Sequence, residues 1–124
     1  MGRIGFDCRS DELPEIKQIL ETLKLESLVF DGVFTHFASS DGDGDPDLSF
    51  TKSQLSRFEK TTDIIKNAGY KINICHCCNS AAVFPDEDNR FDACRPGIVL
   101  YGLSPTNTDN GLVPVMTLKS VISL

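Results

Sequence analysis

The stretch that decides the fold class is 51–77, TKSQLSRFEKTTDIIKNAGYKINICHC, which has the pattern of one helix followed by one strand. Its first turn has the T-x-x-Q spacing of a capping box, with Thr51 as the predicted N-cap and Gln54 reaching back to it. Apolar residues then recur at helical spacing as far as Gly69, which is placed to cap the C-terminus. The segment 71–77 follows as a short apolar strand. A helix that leads directly into a strand is typical of an α/β protein.

Helix and strand also alternate outside this stretch. Leucine and isoleucine spacing predicts a helix over 12–25, and the apolar segment 28–37, LVFDGVFTHF, predicts a strand after it. A turn opening a short helix is expected over 79–84, and a further short strand over 98–103, IVLYGL. Elements of these lengths in this order indicate βα units with a parallel sheet, either closed as a barrel or left open.

Composition excludes two classes of partner. The chain has 124 residues, of which 40% are hydrophobic and 24% charged, so it can build a folded core. Twelve Lys and Arg against eighteen Asp and Glu give a net charge of −6, the wrong sign for binding nucleic acid or an anionic membrane surface. The longest apolar runs, 81–84 and 98–101, are far shorter than the roughly 20 residues that span a bilayer. We therefore expect neither a nucleic-acid nor a membrane partner.

Cysteine usage predicts the compartment. The chain has five cysteines, an odd number, and three of them crowd into 75–78. Crowded thiols suit a reduced protein better than a disulfide framework, and residues 1–6 have no apolar signal region. The expected location is the cytoplasm.

Two metal sites can be drawn on the sequence, and both fail. The acidic segment 41–52 resembles a calcium loop, but Pro46 stands where that loop needs glycine and Lys52 where it needs glutamate. The C-x-x-C at 75–78 could begin a zinc site, but strand alternation would put its neighbouring residues on opposite faces, and no second closely spaced pair follows. Thiols that fill the core are the better interpretation, and no metal site is predicted.

Polar residues gather at the ends of the predicted strands. Read singly, each has an ordinary explanation: His36 as a core histidine, Ser80 as a helix N-cap, and 95–97 as a surface turn. The carboxyl ends of parallel strands meet on one side of a sheet or barrel, however, and ligands collect there. Residues close to such ends are Arg3, His36, Asn79, Ser80, Arg95 and Gly97. Two turns able to bind an anion and two arginines suit a phosphorylated, anionic cofactor or substrate.

Four motifs, in their order and spacing, resemble one known family. They are MGRIGF at 1–6, GVFTHFA at 32–38, HCCNSAA at 76–82 and RPGIVLYG at 95–102. Together they are similar to the second half of the pyridoxal-phosphate barrel of alanine racemases. The resemblance implies an α/β fold, the C-terminal half of a (β/α)8 TIM barrel with about four βα units, over 1–111. Residues 112–124, which alternate apolar and polar side chains, would then begin the first strand of a β domain.

The same resemblance implies a role for each residue at the strand ends. A cradle for the phosphate of pyridoxal 5'-phosphate would be formed by Asn79, Ser80, Gly97 and Ile98. Arg95 would hydrogen-bond the pyridine nitrogen, with His76 orienting it. Arg3 would reach the phenolic oxygen of the cofactor and the carboxylate of the substrate, and His36 would position the catalytic tyrosine.

The two groups that move protons in the family do not match any position of this chain. One is the Schiff-base lysine, expected before Met1, and the other is a tyrosine of the partner subunit, expected beyond Leu124. The resemblance therefore implies a cytoplasmic enzyme that interconverts L- and D-alanine for cell-wall precursors and acts as a homodimer with shared sites. The 124-residue chain alone is expected to be inactive, and its exposed sheet edges predict self-association. Both ends of the chain look like cuts through a fold.

Other functions remain open at this point. The same barrel occurs in serine racemases and in racemases of broad specificity, whose discriminating residues would lie largely outside this segment. A non-enzymatic module that binds pyridoxal phosphate or a metal is the alternative from another class.

Overall fold

The computed structural model describes residues 5–8, 13–84 and 90–122, apart from the side chains of residues 13 and 14. Its elements are, in chain order, α1 (Leu13–Leu23), β1 (Gly32–Phe34), α2 (Asp45–Asn67), β2 (Ile74–His76) and a 3-10 helix (Ile98–Tyr101). The prediction of an α/β fold is confirmed. The helix predicted over 12–25 is confirmed as α1, and the predicted strands 28–37 and 71–77 shrink to three residues each, β1 and β2.

β1 and β2 pair in parallel, with α2 as the connection between them. Gly32 lies opposite Ile74 and Phe34 opposite His76. Glycine is needed at the first of these positions, because a Cβ atom on Gly32 would overlap the backbone oxygen of Ile74. The other edge of β2 makes a parallel bridge, His76 to Ala93. These contacts place the carboxyl ends of β1 and β2 and the residue Ala93 next to one another.

The start of α2 differs from the prediction. The helix begins at Asp45, six residues before the expected capping box at Thr51, and its N-cap Gly44 makes no side-chain capping bond. Pro46 in the first turn has no N–H group that would need a partner. The negative charges of the acidic residues in that turn interact favourably with the positive end of the helix dipole. Nothing in 46–50 interrupts the helix, so Gln54 lies inside it and is free to serve another element. The C-terminus is as predicted: Gly69 has φ +91° and Tyr70 donates back to Ile65 O at 3.3 Å.

The strand predicted over 98–103 is wrong. Residues Ile98–Tyr101 form a 3-10 helix that ends at Gly102, a left-handed residue with φ 74°. A short apolar run does not by itself distinguish a strand from a helical turn. The short helix expected over 79–84 is also absent, because 80–84 are turns, and 112–122 have no regular structure where the strand of a β domain was predicted. Among the described residues, two strands form where about four βα units were predicted.

The core lies between α2 and the strand ends. Its buried residues are Phe37, Phe58, Cys75, Cys77 and Cys78. The prediction that the thiols fill the core is therefore confirmed. None of the helices in the described part of the chain has the length and apolar composition needed to cross a membrane.

Candidate functional site

Arg95 joins the loops that follow β1 and β2. Its Nη2 donates to Thr35 O at 2.7 Å and to Cys77 O at 3.1 Å, and its own backbone N–H donates to Cys78 O at 2.9 Å. A guanidinium is planar and only donates, so carbonyl oxygens from two loops fix both its place and its plane. The sequence placed Arg95 near a strand end, and the structure shows that its side chain links the loops after both strands.

Both histidines of the chain contact this guanidinium through Nδ1. Arg95 Nη1 bonds His76 Nδ1, and Nη2 lies 3.3 Å from His36 Nδ1. Because arginine has no acceptor, each Nδ1 must accept, which leaves the ring proton of each neutral imidazole on Nε2. Burial lowers the pKa of His76, and the charge of Arg95 lowers that pKa further. The structure thus brings His36, His76 and Arg95 into contact.

Phe34 is a member of this cluster that the sequence did not single out. Its ring stacks on the imidazole of His76, with centroids 5.2 Å apart and an interplanar angle of 10°. The same ring lies under Arg95, with Cζ 5.3 Å from its centroid. The signal was available in principle, because pairing of the two predicted strands in register puts Phe34 opposite His76. The sequence alone did not establish that register.

Ser80 and Gly97, two of the four residues expected to form a phosphate cradle, are hydrogen-bonded to each other. Gly97 N donates to Ser80 Oγ at 2.7 Å, and the Ser80 side chain is buried. A hydroxyl that accepts in this way still has its own proton to donate. Ile98 follows at the start of the 3-10 helix and is half-exposed. The turn after β2 and the loop after Arg95 therefore meet through one hydroxyl.

Asn79 lies beside this pair and holds its own turn. Its Oδ1 accepts from Ser40 Oγ at 2.9 Å and from Ala82 N at 3.2 Å. The first contact ties the turn to the loop after β1, and the second closes the turn at 80–84. Arg3, predicted to meet the substrate, lies outside the described residues.

The cysteines next to the site are inert by their surroundings. The expected separation of neighbouring residues at 75–78 onto opposite faces is wrong, because the strand already ends at His76. The next two residues, Cys77 and Cys78, are both fully buried, with their Sγ atoms 4.0 Å apart. Burial raises the pKa of the Cys75, Cys77 and Cys78 thiols. In the part of the chain that the structure describes, no group of three or more His, Cys, Asp or Glu residues is arranged to hold a metal ion.

These features define an α/β protein that gathers a rigid cation, two imidazoles and a buried hydroxyl where parallel strands end. The chain belongs to the family described as alanine racemase, N-terminal domain, whose model matches residues 1–105. It is 38% identical to alanine racemase 1 of Clostridium acetobutylicum and 39% identical to the alanine racemase of Carboxydothermus hydrogenoformans. These matches cover 97% and 99% of this chain but 31% and 32% of the two relatives. The chain thus spans about a third of the length of the curated relatives it matches.

Solved structures show the same likeness. The alanine racemase of Bacillus anthracis with bound L-Ala-P matches with a TM-score of 0.72 and 32% identity, over 92% of this chain and 29% of that one. The alanine racemase of Clostridium difficile 630 in complex with cycloserine matches with a TM-score of 0.68 and 36% identity, over 75% and 24%. The fold of the described residues is therefore that of an alanine racemase segment. Assignment to the second half of the barrel stays a prediction.

Proposed function

We propose that this chain supplies the cofactor-holding part of a pyridoxal-phosphate-dependent alanine racemase, as the second half of its barrel and the start of its β domain. The observation that carries the proposal is that the guanidinium of Arg95 contacts both His36 and His76 at the ends of β1 and β2. Family membership supports the reaction class, and the likeness to structures named as alanine racemases supports the substrate.

The donors around Ser80 and Gly97 fit a phosphate group. Ser80 Oγ accepts the Gly97 N–H, so the hydroxyl proton is available to a phosphate oxygen. The approach is close but not crowded, since a Cβ atom added to Gly97 would lie 3.5 Å from Ser80 Oγ. In this proposal Asn79 holds the turn, and the backbone N–H of Ile98 would help to hold the phosphate.

Arg95 fits the pyridine nitrogen of the same cofactor. Its guanidinium is held by two carbonyl oxygens and by the ring of Phe34, so its direction is fixed before a ligand arrives. An arginine keeps its proton where a carboxylic acid would give one up, so a pyridine nitrogen that accepts from it stays unprotonated. His76, which accepts from Nη1, orients the guanidinium from the side.

The cofactor, when bound, weakens the Cα–H bond of an attached amino acid by withdrawing electrons into its ring. The residues of this chain bind and orient. Arg3 would hold the carboxylate of the substrate, and His36 would position the tyrosine that carries the proton. The lysine and tyrosine that move the proton are proposed to come from other parts of the enzyme, so the 124-residue chain alone is expected to be inactive.

We also propose that the complete enzyme is a homodimer acting on alanine, and that the isolated chain self-associates. Large apolar side chains near its C-terminal end support association, since Leu118, Val121 and Ile122 are at least 90% exposed. Sedimentation of the isolated chain tests this, and a compact monomer at every concentration would contradict it.

The decisive test of function is a chimera. Residues 1–124 replace the matching segment of alanine racemase 1 of Clostridium acetobutylicum, and conversion of L- to D-alanine is measured together with bound pyridoxal phosphate. The chimera is expected to racemise alanine. The same chimera with Arg95→Ala is expected to lose roughly 100-fold or more in kcat, on the scale of other lost electrostatic groups.

Racemase activity is compared only between chimeras that are shown to be folded. A folded, cofactor-loaded chimera that does not racemise alanine, or that does so equally well without Arg95, contradicts the proposal. Stoichiometric zinc in the chain purified without added metal would favour the metal-binding alternative.

A further inference from the structure

Gln54 of α2 is bonded to the loop that follows β1. Its Nε2 donates to His36 O at 2.7 Å and to Thr35 Oγ1 at 3.0 Å, and its Oε1 accepts from Ala38 N at 3.2 Å. One amide thus uses both of its polar atoms on a four-residue loop. Because α2 begins at Asp45, Gln54 has no part in capping the helix.

This loop lies where the sheet no longer supplies partners. The last bond from it to β2 is Thr35 N to His76 O, at 3.3 Å. Beyond that point the peptide groups of 36–38 must find other partners or remain unpaired. A glutamine amide has one acceptor and two donors, so it can satisfy one N–H and one C=O of an extended segment, as a neighbouring strand would.

The other side of the same loop holds Arg95. Thr35 O accepts from Arg95 Nη2 at 2.7 Å, and His36 Nδ1 lies 3.3 Å from that nitrogen. The loop is therefore held between a glutamine on one side and a guanidinium on the other. Any displacement of the loop moves the carbonyl and the imidazole that Arg95 contacts.

We infer that Gln54 is a positioning residue, which sets the direction of the Arg95 guanidinium and of His36 through the loop 35–38. That Arg95 and His36 serve a racemase rests on the proposed function. The positioning itself does not, because it concerns contacts within this chain.

The chain offers a clean readout, since His36 and His76 are its only two histidines and both touch Arg95. NMR titration of the two imidazoles in the 124-residue chain, without cofactor, reports on the guanidinium from both sides. Gln54→Met removes all three amide bonds with little change of volume. It is expected to shift the resonances of both imidazoles. Burial and, to a smaller extent, the charge of Arg95 lower the pKa of His76, so the midpoint of His76 is expected to rise part of the way toward its ordinary value of about 6.5 as Arg95 moves away.

Two variants of α2 serve as controls. Ile65→Val removes one buried methylene from the core side of the helix and is expected to lower stability by about 1 kcal/mol without moving either midpoint. Ser56→Ala changes an exposed position of the same helix and is expected to move neither histidine midpoint. A role in stability alone would make Gln54→Met behave like Ile65→Val.

The wild-type chain gives a second measurement if Gln54→Met does not fold. The side-chain N–H protons of Gln54 are expected to exchange with solvent at least 10-fold more slowly than those of the exposed Asn67. Unchanged histidine resonances in folded Gln54→Met, or Gln54 protons that exchange as fast as those of Asn67, would overturn the inference. If the chimera is inactive but Gln54→Met still shifts the histidine resonances of the 124-residue chain, the racemase proposal is rejected and the positioning role of Gln54 stands.

Discussion

Arg95 donates from Nη2 to the carbonyl oxygen of Thr35 at 2.7 Å, across 60 positions of the sequence. This bond joins the loop after β1 to the segment after the bridge at Ala93, two regions that share no regular ladder. A charged donor to a carbonyl is among the stronger hydrogen bonds in proteins. The contact therefore organises the site and contributes to the fold at the same time.

Arg95→Lys is expected to destabilise the chain although the charge is kept. One ammonium cannot reach the oxygens of Thr35 and Cys77 and the two histidine nitrogens in the plane that the guanidinium uses. The expected loss in the free energy of unfolding is about 1–3 kcal/mol, measured by urea denaturation. Arg57→Lys on α2 is the matched control, and equal losses in the two variants would mean that the fork of Arg95 has no special role.

Ser80→Ala should weaken the loop that begins at Gly97. The exposed Gly97 N–H would lose the acceptor that the buried Ser80 provides, at a cost of about 0.5–1.5 kcal/mol in unfolding free energy. Ser56→Ala, at an exposed helical position, should cost nothing or stabilise slightly. In the chimera, Ser80→Ala is also expected to weaken binding of pyridoxal phosphate, and unchanged affinity would argue against the phosphate cradle.

Two glycines with positive φ give a matched pair. Gly69 has φ +91° with open space around the position of a Cβ, whereas Gly102 has φ +74° and a Cβ there would overlap the backbone at Val113. Gly69→Ala should cost about 1–2 kcal/mol from backbone strain alone. Gly102→Ala should cost at least about 1 kcal/mol more, because Val115 N, bonded to Tyr101 O at 3.1 Å, holds the chain against it. Equal costs would show that 113–115 does not pack there.

Stability should fall as the solution is acidified through the histidine range. The folded chain holds the pKa of His76 below its ordinary value of about 6.5, so between those two values the unfolded chain binds the proton and the folded chain does not. The free energy of unfolding is then expected to decrease as pH drops from about 7.5 to about 5.5. His76→Asn keeps an acceptor for Arg95 but does not titrate, so it should show a smaller decrease. An equal decrease in both proteins would assign the effect to other groups.

Much of the fold could be predicted from local signals. The spacing of leucines in α1 and the glycine after α2 are decided by neighbours in sequence, and both predictions are confirmed. The start of α2 was misplaced because two good signals compete there. The Gly-Asp-Pro at 44–46 starts the helix first, and a capping box has no effect once it lies inside a helix.

The site could be predicted only as a set of separate residues. Placement at strand ends was enough to group His36 with Arg95, because parallel strands end on one side, whereas the role of His76 came only from the family resemblance. Phe34 and Gln54 depend on strand register and on the rotation of α2 about its axis. Neither quantity is encoded within a single element, so the two contacts could not be read from local pattern.

The racemase proposal and the role of Gln54 both require that Arg95 hold His36 and His76 before any ligand is bound. The most direct measurement is the tautomer of each imidazole in the cofactor-free chain, read from the nitrogen shifts in a long-range proton–nitrogen NMR spectrum at neutral pH. Both rings are expected to carry their proton on Nε2, with Nδ1 accepting from Arg95. A proton on Nδ1 of either ring, or a spectrum unchanged by Arg95→Lys, would contradict a site built around this guanidinium.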